Sequence, residues 1–202
     1  MSKEVFQFRQ FTVCQDQCAM KVGTDGVLLG AWACTNGPRL LDVGTGTGLV
    51  ALMLAQRYPA AQILGVDIDG AAARQACDNF AASPWADRLA ARSSDFMHLP
   101  ARDSWDCIVS NPPFYENTLP TSSWARDKAR SGQKNFLNNL LNFSLQHLSF
   151  QGVLNVILPT KEGLEFAFEA WTKNLYTHRK TLICTKQGKN PKRVLLTLGR
   201  TP

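Results

Sequence analysis

The stretch Leu40-Leu-Asp-Val-Gly44-Thr-Gly46-Thr-Gly48-Leu-Val-Ala-Leu-Met-Leu54 decides the fold of this chain. An apolar run typical of a strand meets alternating glycines, and a segment with helical apolar spacing follows. Glycines permit sharp turns and a close approach to a ligand, and the helix N-terminus behind them favours negative charge. The dinucleotide-binding fingerprint requires glycines at the first, third and sixth positions, whereas Gly48 falls at the fifth. The spacing therefore indicates a ligand site at a strand–loop–helix junction and argues against a dehydrogenase.

Strand-like and helix-like segments alternate around this loop without internal repeats, which predicts a parallel α/β sheet. Strands are predicted near 39–43, 62–67, 89–92, 105–110 and 152–158, and helices near 47–57, 70–82, 134–148 and 162–172. A last pair of strands near 179–185 and 192–198, separated by Lys186-Gln-Gly-Lys-Asn-Pro191, predicts an antiparallel hairpin. We expect a single domain over 1–202, in which an N-terminal extension over 1–35 precedes a catalytic core over 36–202.

Acidic side chains lie where the second of these strands ends, in Gln62-Ile-Leu-Gly-Val-Asp67-Ile-Asp69. Asp67 ends that strand about 20 residues past the loop, where a carboxylate can accept hydrogen bonds from both ribose hydroxyls. Asp69 competes for this role, although it is better placed to cap the Ala-rich helix that follows. Asp95 follows a third strand-like segment and could accept a hydrogen bond from an adenine amine. A turn or N-cap role is the alternative for Asp95.

The tetrapeptide Asn111-Pro112-Pro113-Phe114 directly follows the apolar, β-branched segment 105–110. Two consecutive prolines cannot continue a strand ladder, so the chain leaves the sheet in a rigid, extended turn. The Asn111 amide and the carbonyls that precede the prolines then provide hydrogen-bond acceptors beside an aromatic ring. This arrangement suits a planar group that bears an NH2. A simple Pro-rich strand exit is the alternative for an isolated tetrapeptide.

The candidate site residues all follow predicted strands. In open α/β sheets, ligands bind beyond the carboxyl ends of the strands. The glycine loop, Asp67, Asp95 and Asn111 should therefore lie on one rim of the sheet. Their convergence is harder to explain by chance than any one of them alone.

The composition is that of one ordinary globular domain, with 202 residues, 45% hydrophobic and 19% charged. No apolar run reaches membrane-spanning length, and the N-terminus lacks the apolar region of a signal peptide, so we expect a cytoplasmic protein. The six cysteines form no Cys-x-x-Cys pair and predict buried free thiols in a reducing compartment. The three scattered histidines predict neither a metal site nor a nucleophilic triad.

The net charge of +6 comes entirely from the C-terminal part of the chain. Residues 1–159 balance 13 Lys and Arg against 13 Asp and Glu, whereas residues 160–202 contain 9 against 3. Such a basic flank is typical of a polyanion binder. The alternative is a solvated hairpin whose lysines protect a sheet edge. The excess clusters at Arg179, Lys180, Lys186, Lys189, Lys192, Arg193 and Arg200.

Three further segments carry predictions. The segment Phe6-Gln-Phe8-Arg-Gln-Phe11-Thr-Val13 alternates like one strand packed on the core. The segment 20–32 begins as a glycine-bearing loop and becomes a helix, with Thr24 or Asp25 predicted as its N-cap. Residues 115–133 are polar and predict a long functional loop, which we expect to be mobile without substrate and to contact phosphates when substrate binds.

Several motifs, taken in their order along the chain, resemble those of a known family. The segments Lys21-Val-Gly-Thr-Asp-Gly-Val-Leu-Leu-Gly-Ala-Trp32, Leu41-Asp-Val-Gly-Thr-Gly-Thr-Gly48 and Ser110-Asn-Pro-Pro-Phe114 resemble those of the bacterial tRNA1(Val) N6-adenine methyltransferases. Ser83-Pro-Trp-Ala-Asp-Arg88 and Lys192-Arg-Val-Leu-Leu196 are also similar to that family. The resemblance covers nearly the whole chain. The glycine loop is generic to methyltransferases, the Asn-Pro-Pro-aromatic motif is shared by several classes, and Lys21–Trp32 is the most specific part.

The resemblance implies a class I methyltransferase fold, with a mostly parallel seven-stranded sheet, an antiparallel C-terminal hairpin and helices on both faces. It implies S-adenosylmethionine as the cofactor, transfer to adenine N6 next to a tRNA anticodon (position 37), and no metal; we expect a monomer. The implied catalytic residues are Asn111, Pro112 and Phe114, and the implied cofactor-binding residues are Gly23, Thr24, Asp42, Gly44, Gly46, Gly48, Asp67 and Asp95. Residues expected to bind RNA are Arg126, Lys128, Arg130, Lys189, Lys192 and Arg193.

Related activities share the Asn-Pro-Pro-aromatic motif. A guanine-N2 methyltransferase of ribosomal RNA and a glutamine-N5 methyltransferase of protein are the enzymatic alternatives, and an RNA-binding module on an inactive methyltransferase fold is the non-enzymatic one. The basic flank favours RNA over protein. Members of the resembled family commonly continue past the last strand with an aromatic-containing segment, whereas this sequence ends at Pro202. We expect tRNA affinity to be the property that this difference affects.

Overall fold

The computed structural model of the chain describes residues 4–18, 21–113 and 123–202, with the side chains of 123–130 excluded. At the N-terminus, strands β1 (Val5–Gln7) and β2 (Thr12–Cys14) pair as an antiparallel hairpin. The prediction of one continuous strand over 6–13 was wrong, because the chain bends at 9–10 and the Phe8 amide donates to the Phe11 carbonyl. The Phe8 and Phe11 rings stack with centroids 4.5 Å apart, and this contact closes the hairpin.

The remaining described strands form one seven-stranded sheet in the order β5-β4-β3-β6-β7-β9-β8. The five strands from β5 to β7 in that order are parallel, and β9 is antiparallel to both of its neighbours. This is the predicted mostly parallel sheet with an antiparallel C-terminal hairpin. The strands are β3 (Arg39–Val43), β4 (Gln62–Asp67), β5 (Leu89–Ser93), β6 (Trp105–Ser110), β7 (Leu148–Pro159), β8 (Tyr176–Ile183) and β9 (Arg193–Gly199).

Helices cover both faces of the sheet and create two hydrophobic clusters. Side chains of a strand alternate between faces, so Leu40 joins one cluster and Leu41 joins the other. The first cluster is covered by α1 (Thr24–Trp32), α2 (Leu49–Arg57) and α3 (Gly70–Ala81). The second is covered by α4 (Ser123–His147) and α5 (Thr160–Thr172). Both faces being buried explains why β3, β6 and β7 carry adjacent apolar residues, as in Leu40-Leu41, Ile108-Val109 and Val156-Ile157-Leu158, and no strict alternation with polar ones.

Two predicted boundaries were wrong. Helix α4 begins at Ser123 and not near 134, so 123–133 is helical although the segment carries no apolar stripe. Residues such as Ala, Arg, Lys and Gln favour helix without any hydrophobic pattern, which explains the miss. Helix α1 has Gly23 as its N-cap, and neither Thr24 nor Asp25. Residues 115–122 lie outside the described residues, as does Phe114.

The six cysteines are all free thiols. Cys18 and Cys107 are buried and Cys14 and Cys34 are half-buried, whereas the prediction of burial was wrong for the two exposed cysteines, Cys77 and Cys184. Among the described residues, no group of three or more potential metal ligands is present. No helix in the same part of the chain is long and apolar enough to cross a membrane.

Candidate active site

The glycine loop between β3 and α2 has the backbone shape that its glycines were expected to allow. Gly44, Gly46 and Gly48 have φ angles of +71°, +54° and +80°, in the left-handed region that disfavours other residues. A Cβ added at Gly44 or Gly46 would meet no atom within 4 Å, so these two glycines border open space. At Gly48 a Cβ would lie 2.4 Å from the Phe80 ring. The loop is therefore open towards a ligand on one side and packed against α3 on the other.

Backbone hydrogen bonds attach the loop to the end of the neighbouring strand. The amides of Gly44 and Thr45 both donate to the Val66 carbonyl, at 2.9 and 3.0 Å. The Gly48 amide donates to the Thr45 carbonyl at 2.8 Å and closes the turn that leads into α2. The loop position is thus determined by β4, the strand that ends in Asp67.

The buried Asp42 stabilises the glycine loop through hydrogen bonds. Its carboxylate is 1% exposed and accepts hydrogen bonds from the Thr45 hydroxyl, at 2.8 Å, and from the Ala51 amide in the first turn of α2. Burial raises the pKa of Asp42 to about 7; the two hydrogen bonds oppose this shift, and the charge of Asp67 adds to it. Asp42 thus lies in the protein interior, where it holds the loop and the start of α2. The open space borders Gly44 and Gly46.

The carboxyl end of β4 places Asp67 directly beside the glycines. Its Oδ2 accepts a hydrogen bond from the Gly46 amide at 2.9 Å, and its Oδ1 accepts one from the Asp69 amide at 3.0 Å. Asp69 is the N-cap of α3, where its carboxylate accepts from the Ala71 amide at 2.9 Å. The predicted capping role of Asp69 is confirmed. A carboxylate has about four lone-pair positions, so Asp67 retains capacity for a ligand.

Asp95 and Asn111 follow the ends of two other parallel strands. Asp95 comes two residues after β5, is half-buried, and caps a short 3-10 turn by accepting from the Met97 amide at 3.0 Å. Asn111 follows β6, whose last residue, Ser110, donates its hydroxyl to the Val43 carbonyl at 2.8 Å. That bond ties the end of β6 to the start of the glycine loop.

The start of α1 meets Asn111 and the start of α2. A Cβ added at Gly26 would lie 3.0 Å from Leu49 and 3.8 Å from the Asn111 side-chain nitrogen. The glycine therefore allows α1 to approach these residues closely. Gly23 and Thr24, one turn earlier in the chain, are exposed. Pro112 is buried and Pro113 exposed, whereas Phe114 cannot be placed because it lies outside the described residues.

Some of the C-terminal basic residues form two groups. Arg193 forms an ion pair with Asp25 at 2.8 Å, and Arg179 lies 4.0 Å from the Trp32 ring centroid, so both stabilise contacts with α1. Lys189 and Lys192 are exposed in the connection from β8 to β9. That connection lies at the carboxyl edge of the parallel strands, because Arg193 pairs with Pro159 at the end of β7. Arg126, Lys128 and Arg130 belong to the first turns of α4, and their side chains are outside the described part.

Sequence reasoning missed Gln75 and Asn79, two polar residues spaced four apart on the buried face of α3. They are 2% and 3% exposed. Asn79 hydrogen-bonds to both β2 and the glycine loop, and Gln75 to the segment after β2. The available signal was polarity: both amides lie on the same helix face as Ala72, Ala76 and Phe80, where apolar residues are expected.

A seven-stranded sheet of this order, with a glycine loop after its first parallel strand and a carboxylate after the next, defines a class I methyltransferase. A family model described as the methyltransferase small domain matches residues 22–182. Two solved structures show the same fold. The human methyltransferase 10 domain containing protein is 17% identical, with a TM-score of 0.64 over 94% of this chain and 90% of that one. TrmN from Thermus thermophilus is 20% identical, with a TM-score of 0.66 over 87% of this chain and 48% of that one.

Closer relatives specify the family. A Bacteroides thetaiotaomicron protein named tRNA1(Val) (adenine(37)-N6)-methyltransferase is 46% identical over 199 residues, which cover 98% of this chain and 84% of that protein. A Flavobacterium psychrophilum protein with the same name is 46% identical over 201 residues, covering 97% of this chain and 86% of that protein. The chain belongs to this family of tRNA1(Val) (adenine(37)-N6)-methyltransferases.

Proposed function

We propose that this chain transfers a methyl group from S-adenosylmethionine to the N6 amine of the adenine next to the anticodon, at position 37 of tRNA1(Val). The relatives that carry this name match nearly the whole chain. The observation that carries the proposal is the meeting of Asn111 with the starts of α1 and α2 beside the open glycine loop. This contact supports a role for Asn111 as an acceptor next to the region suited to the methyl donor.

The residues around the loop fit S-adenosylmethionine. Open space at Gly44 and Gly46 leaves room for a ligand against the backbone. The Asp67 carboxylate, beside Gly46, can accept hydrogen bonds from the ribose hydroxyls, and Asp95 is the candidate acceptor for the adenine amine. Asp42 would act through the loop, by holding Thr45 and the first turn of α2. Gly23 and Thr24 are proposed to line the same space from the start of α1.

Asn111 and Pro112 would prepare the amine of the substrate for methylation. The lone pair of an adenine N6 is delocalised into the ring, which makes this nitrogen a poor nucleophile. Two N–H groups donating to Asn111 Oδ1 and to the Pro112 carbonyl favour a pyramidal nitrogen with a localised lone pair. Because Pro113 follows it, Pro112 is confined to extended backbone conformations, which restricts the direction of its carbonyl. Phe114 is proposed to stack on the base.

The bound donor supplies a methyl carbon attached to a positively charged sulfur. The N6 lone pair forms the new N–C bond as the C–S bond breaks, and the bonding electrons leave with the sulfur. The methylated nitrogen, now positively charged, would then release one proton to water, so no strong base is needed before transfer. The nitrogen and carbon must be held about 3–3.5 Å apart and in line, so positioning by Asn111 and the glycine loop would supply most of the rate.

The target base must leave the stack to reach this site. Extruding a base from a single-stranded loop costs less than extruding one from a duplex, which favours an anticodon-loop substrate. The exposed Lys189 and Lys192 lie at the same edge of the sheet and are proposed to contact phosphates. Arg126, Lys128 and Arg130, which follow the Asn111 motif in the sequence, are proposed to contact phosphates as well.

Transfer of labelled methyl to tRNA, ribosomal RNA and protein in separate reactions, followed by analysis of the labelled nucleoside or amino acid, tests the proposal. N6-methyladenosine in tRNA1(Val) is the expected product, and replacing adenine 37 by guanine should remove it. N2-methylguanosine in ribosomal RNA would instead identify a guanine-N2 methyltransferase, and a methylated glutamine in protein would identify a glutamine-N5 methyltransferase. Binding of tRNA without any methyl transfer would identify an RNA-binding module.

A further inference from the structure

One buried side chain joins the N-terminal hairpin to the glycine loop. The Asn79 amide nitrogen donates to the Thr47 carbonyl, inside the loop, and to the Cys14 carbonyl, at the end of β2; both distances are 2.8 Å. Its Oδ1 accepts from the Cys14 amide, also at 2.8 Å. Asn79 is 3% exposed, so these three bonds form away from water. Both of its amide protons are used, and each goes to a different part of the fold.

The neighbouring residues of α3 strengthen the same connection. The Gln75 side-chain oxygen, one turn earlier, accepts from the Gln17 amide at 2.9 Å. On the other side of Asn79, the Phe80 ring packs so closely on the loop that it excludes any side chain at Gly48. We call residues 14–18, which Gln75 and Asn79 hold against α3, the strap. The strap and the loop are therefore fixed to one helix by adjacent side chains.

The strap lies close to the carboxylates at the end of β4. Its Cys18 is 7% exposed, and the pKa of this thiol is raised by burial first and then by the charges of Asp16, Asp67 and Asp69. Electrostatic influence of this kind requires proximity. Gln15, in the strap, also accepts from the Val22 amide at 2.7 Å and so connects the strap to the segment that enters α1. Hydrogen bonds thus join the strap to α3 on one side and to Val22, two residues before α1, on the other.

We propose that the strap is a wall of the methyl-donor site and that Asn79 is the positioning residue that sets its spacing from the glycine loop. This inference rests on the proposed function, because the ligand that strap and loop would share is the donor. Asn79 touches neither reactant and acts through Thr47 and Cys14. A leucine there would fill similar volume but leave the Thr47 carbonyl and both Cys14 backbone groups without their partner.

Isothermal titration with S-adenosylhomocysteine tests the positioning role. We expect Asn79→Leu to weaken binding about tenfold or more, with KM for S-adenosylmethionine raised and kcat at saturation changed less. Asn155→Leu is the matched control. Asn155 is also fully buried, and its side chain bonds to the Cys34 carbonyl, the Cys107 sulfur and the Thr197 hydroxyl, none of which belongs to the strap or the glycine loop. It should lower Tm yet leave the dissociation constant within about twofold. Equal weakening by both variants, or none by Asn79→Leu, would overturn the proposal.

If Asn79→Leu does not fold, hydrogen–deuterium exchange on the unaltered protein still tests whether the strap lines the donor site. Saturating S-adenosylhomocysteine should slow exchange at the amides of Cys14 and Gln17 together with that of Gly46. Unchanged exchange in 14–18, with clear protection of the loop, would remove the strap from the site. Failure of the unaltered protein to bind S-adenosylhomocysteine at all would instead contradict the proposed function. Binding with a product other than N6-methyladenosine would leave the strap proposal intact and change only the substrate.

Discussion

Asp67 accepts a hydrogen bond from the Gly46 amide at 2.9 Å, so the carboxylate proposed to bind the ribose is already part of the glycine loop. Its second oxygen holds the Asp69 amide at 3.0 Å. The side chain is therefore oriented by the backbone on both sides. Rotation away from the loop would break both bonds, and a pre-oriented acceptor loses less entropy when a ligand binds.

Replacing Asp67 should damage donor binding more than folding. We expect Asp67→Ala to weaken S-adenosylhomocysteine binding at least about thirtyfold, because charge-assisted bonds to two hydroxyls and the support of Gly46 are lost together. Asp69→Ala is the matched control, since it removes the α3 cap and should cost about 1 kcal/mol of stability with little change in affinity. Titration calorimetry and thermal melting separate the two effects. A larger affinity loss in Asp69→Ala would transfer the ribose role to Asp69.

Replacing Asn111 should separate chemistry from donor binding. Asn111→Ala removes the acceptor for the substrate amine but leaves the glycine loop, Asp67 and Asp95 unchanged. We expect methyl transfer to tRNA to fall at least about a thousandfold, while the dissociation constant of S-adenosylmethionine changes less than about threefold. Single-turnover transfer assays and calorimetry measure the two quantities. Loss of donor binding in this variant would refute the assignment of Asn111 to the amine.

Part of the fold and of the candidate site could be predicted from the sequence. The parallel sheet, the rim and the cap at Asp69 follow from local patterns, because β3, β4 and β6 are short apolar runs that end in turn formers. The roles of Asn79 and Gln75 could not be predicted, since their partners are 32 to 65 residues away in the chain. Local spacing carries no information about which distant backbone group a buried amide will meet.

The same reasoning explains the errors in the N-terminal part. The Gly23 cap has no side chain to signal the start of α1, and Thr24 and Asp25 each resemble a cap in sequence. Asp25 instead pairs with Arg193, which lies 168 residues further along the chain. Arg193 was predicted to bind RNA from its charge alone. Its RNA contact remains a prediction, and the structure gives it a place in the α1–β9 contact.

The buried Asp42 should make stability depend on pH. Its folded pKa of about 7 lies above the ordinary aspartate value of 3.8, so the folded state binds the proton more tightly than the unfolded state. Stability from this group is complete below pH 3.8 and is lost as the pH rises towards 7. Asp42→Asn mimics the protonated form. We expect its stability relative to the unaltered protein to rise by up to about 4 kcal/mol between pH 4 and pH 8. A difference independent of pH, measured by urea unfolding, would contradict this.

Alanine substitutions at Gly48 and Gly188 should distinguish the cost of a strained backbone from the cost of a steric clash. Both have positive φ, +80° and +76°, but a Cβ at Gly48 would meet the Phe80 ring at 2.4 Å, whereas one at Gly188 would meet nothing within 4 Å. Gly188→Ala should therefore cost about 1–2 kcal/mol from the left-handed backbone alone. Gly48→Ala should cost at least about 1 kcal/mol more and also weaken S-adenosylhomocysteine binding, because the loop must move. Urea unfolding of both variants measures the difference. Equal costs would show that Phe80 yields without displacing the loop.

Lys189 and Lys192 should contribute to tRNA affinity through phosphates alone. Both are exposed in the β8–β9 connection, at the carboxyl edge where Asn111 lies. Replacing both by alanine removes two positive charges, so the slope of log affinity against log salt should fall by about 1.4–1.8. Donor affinity should not change. Lys173→Ala is the control, because Lys173 follows α5 at the opposite edge of the sheet, where its amine donates to Asn142. If Lys173→Ala alters the salt slope as much as Lys189→Ala alone, general charge and not a local phosphate contact governs tRNA binding.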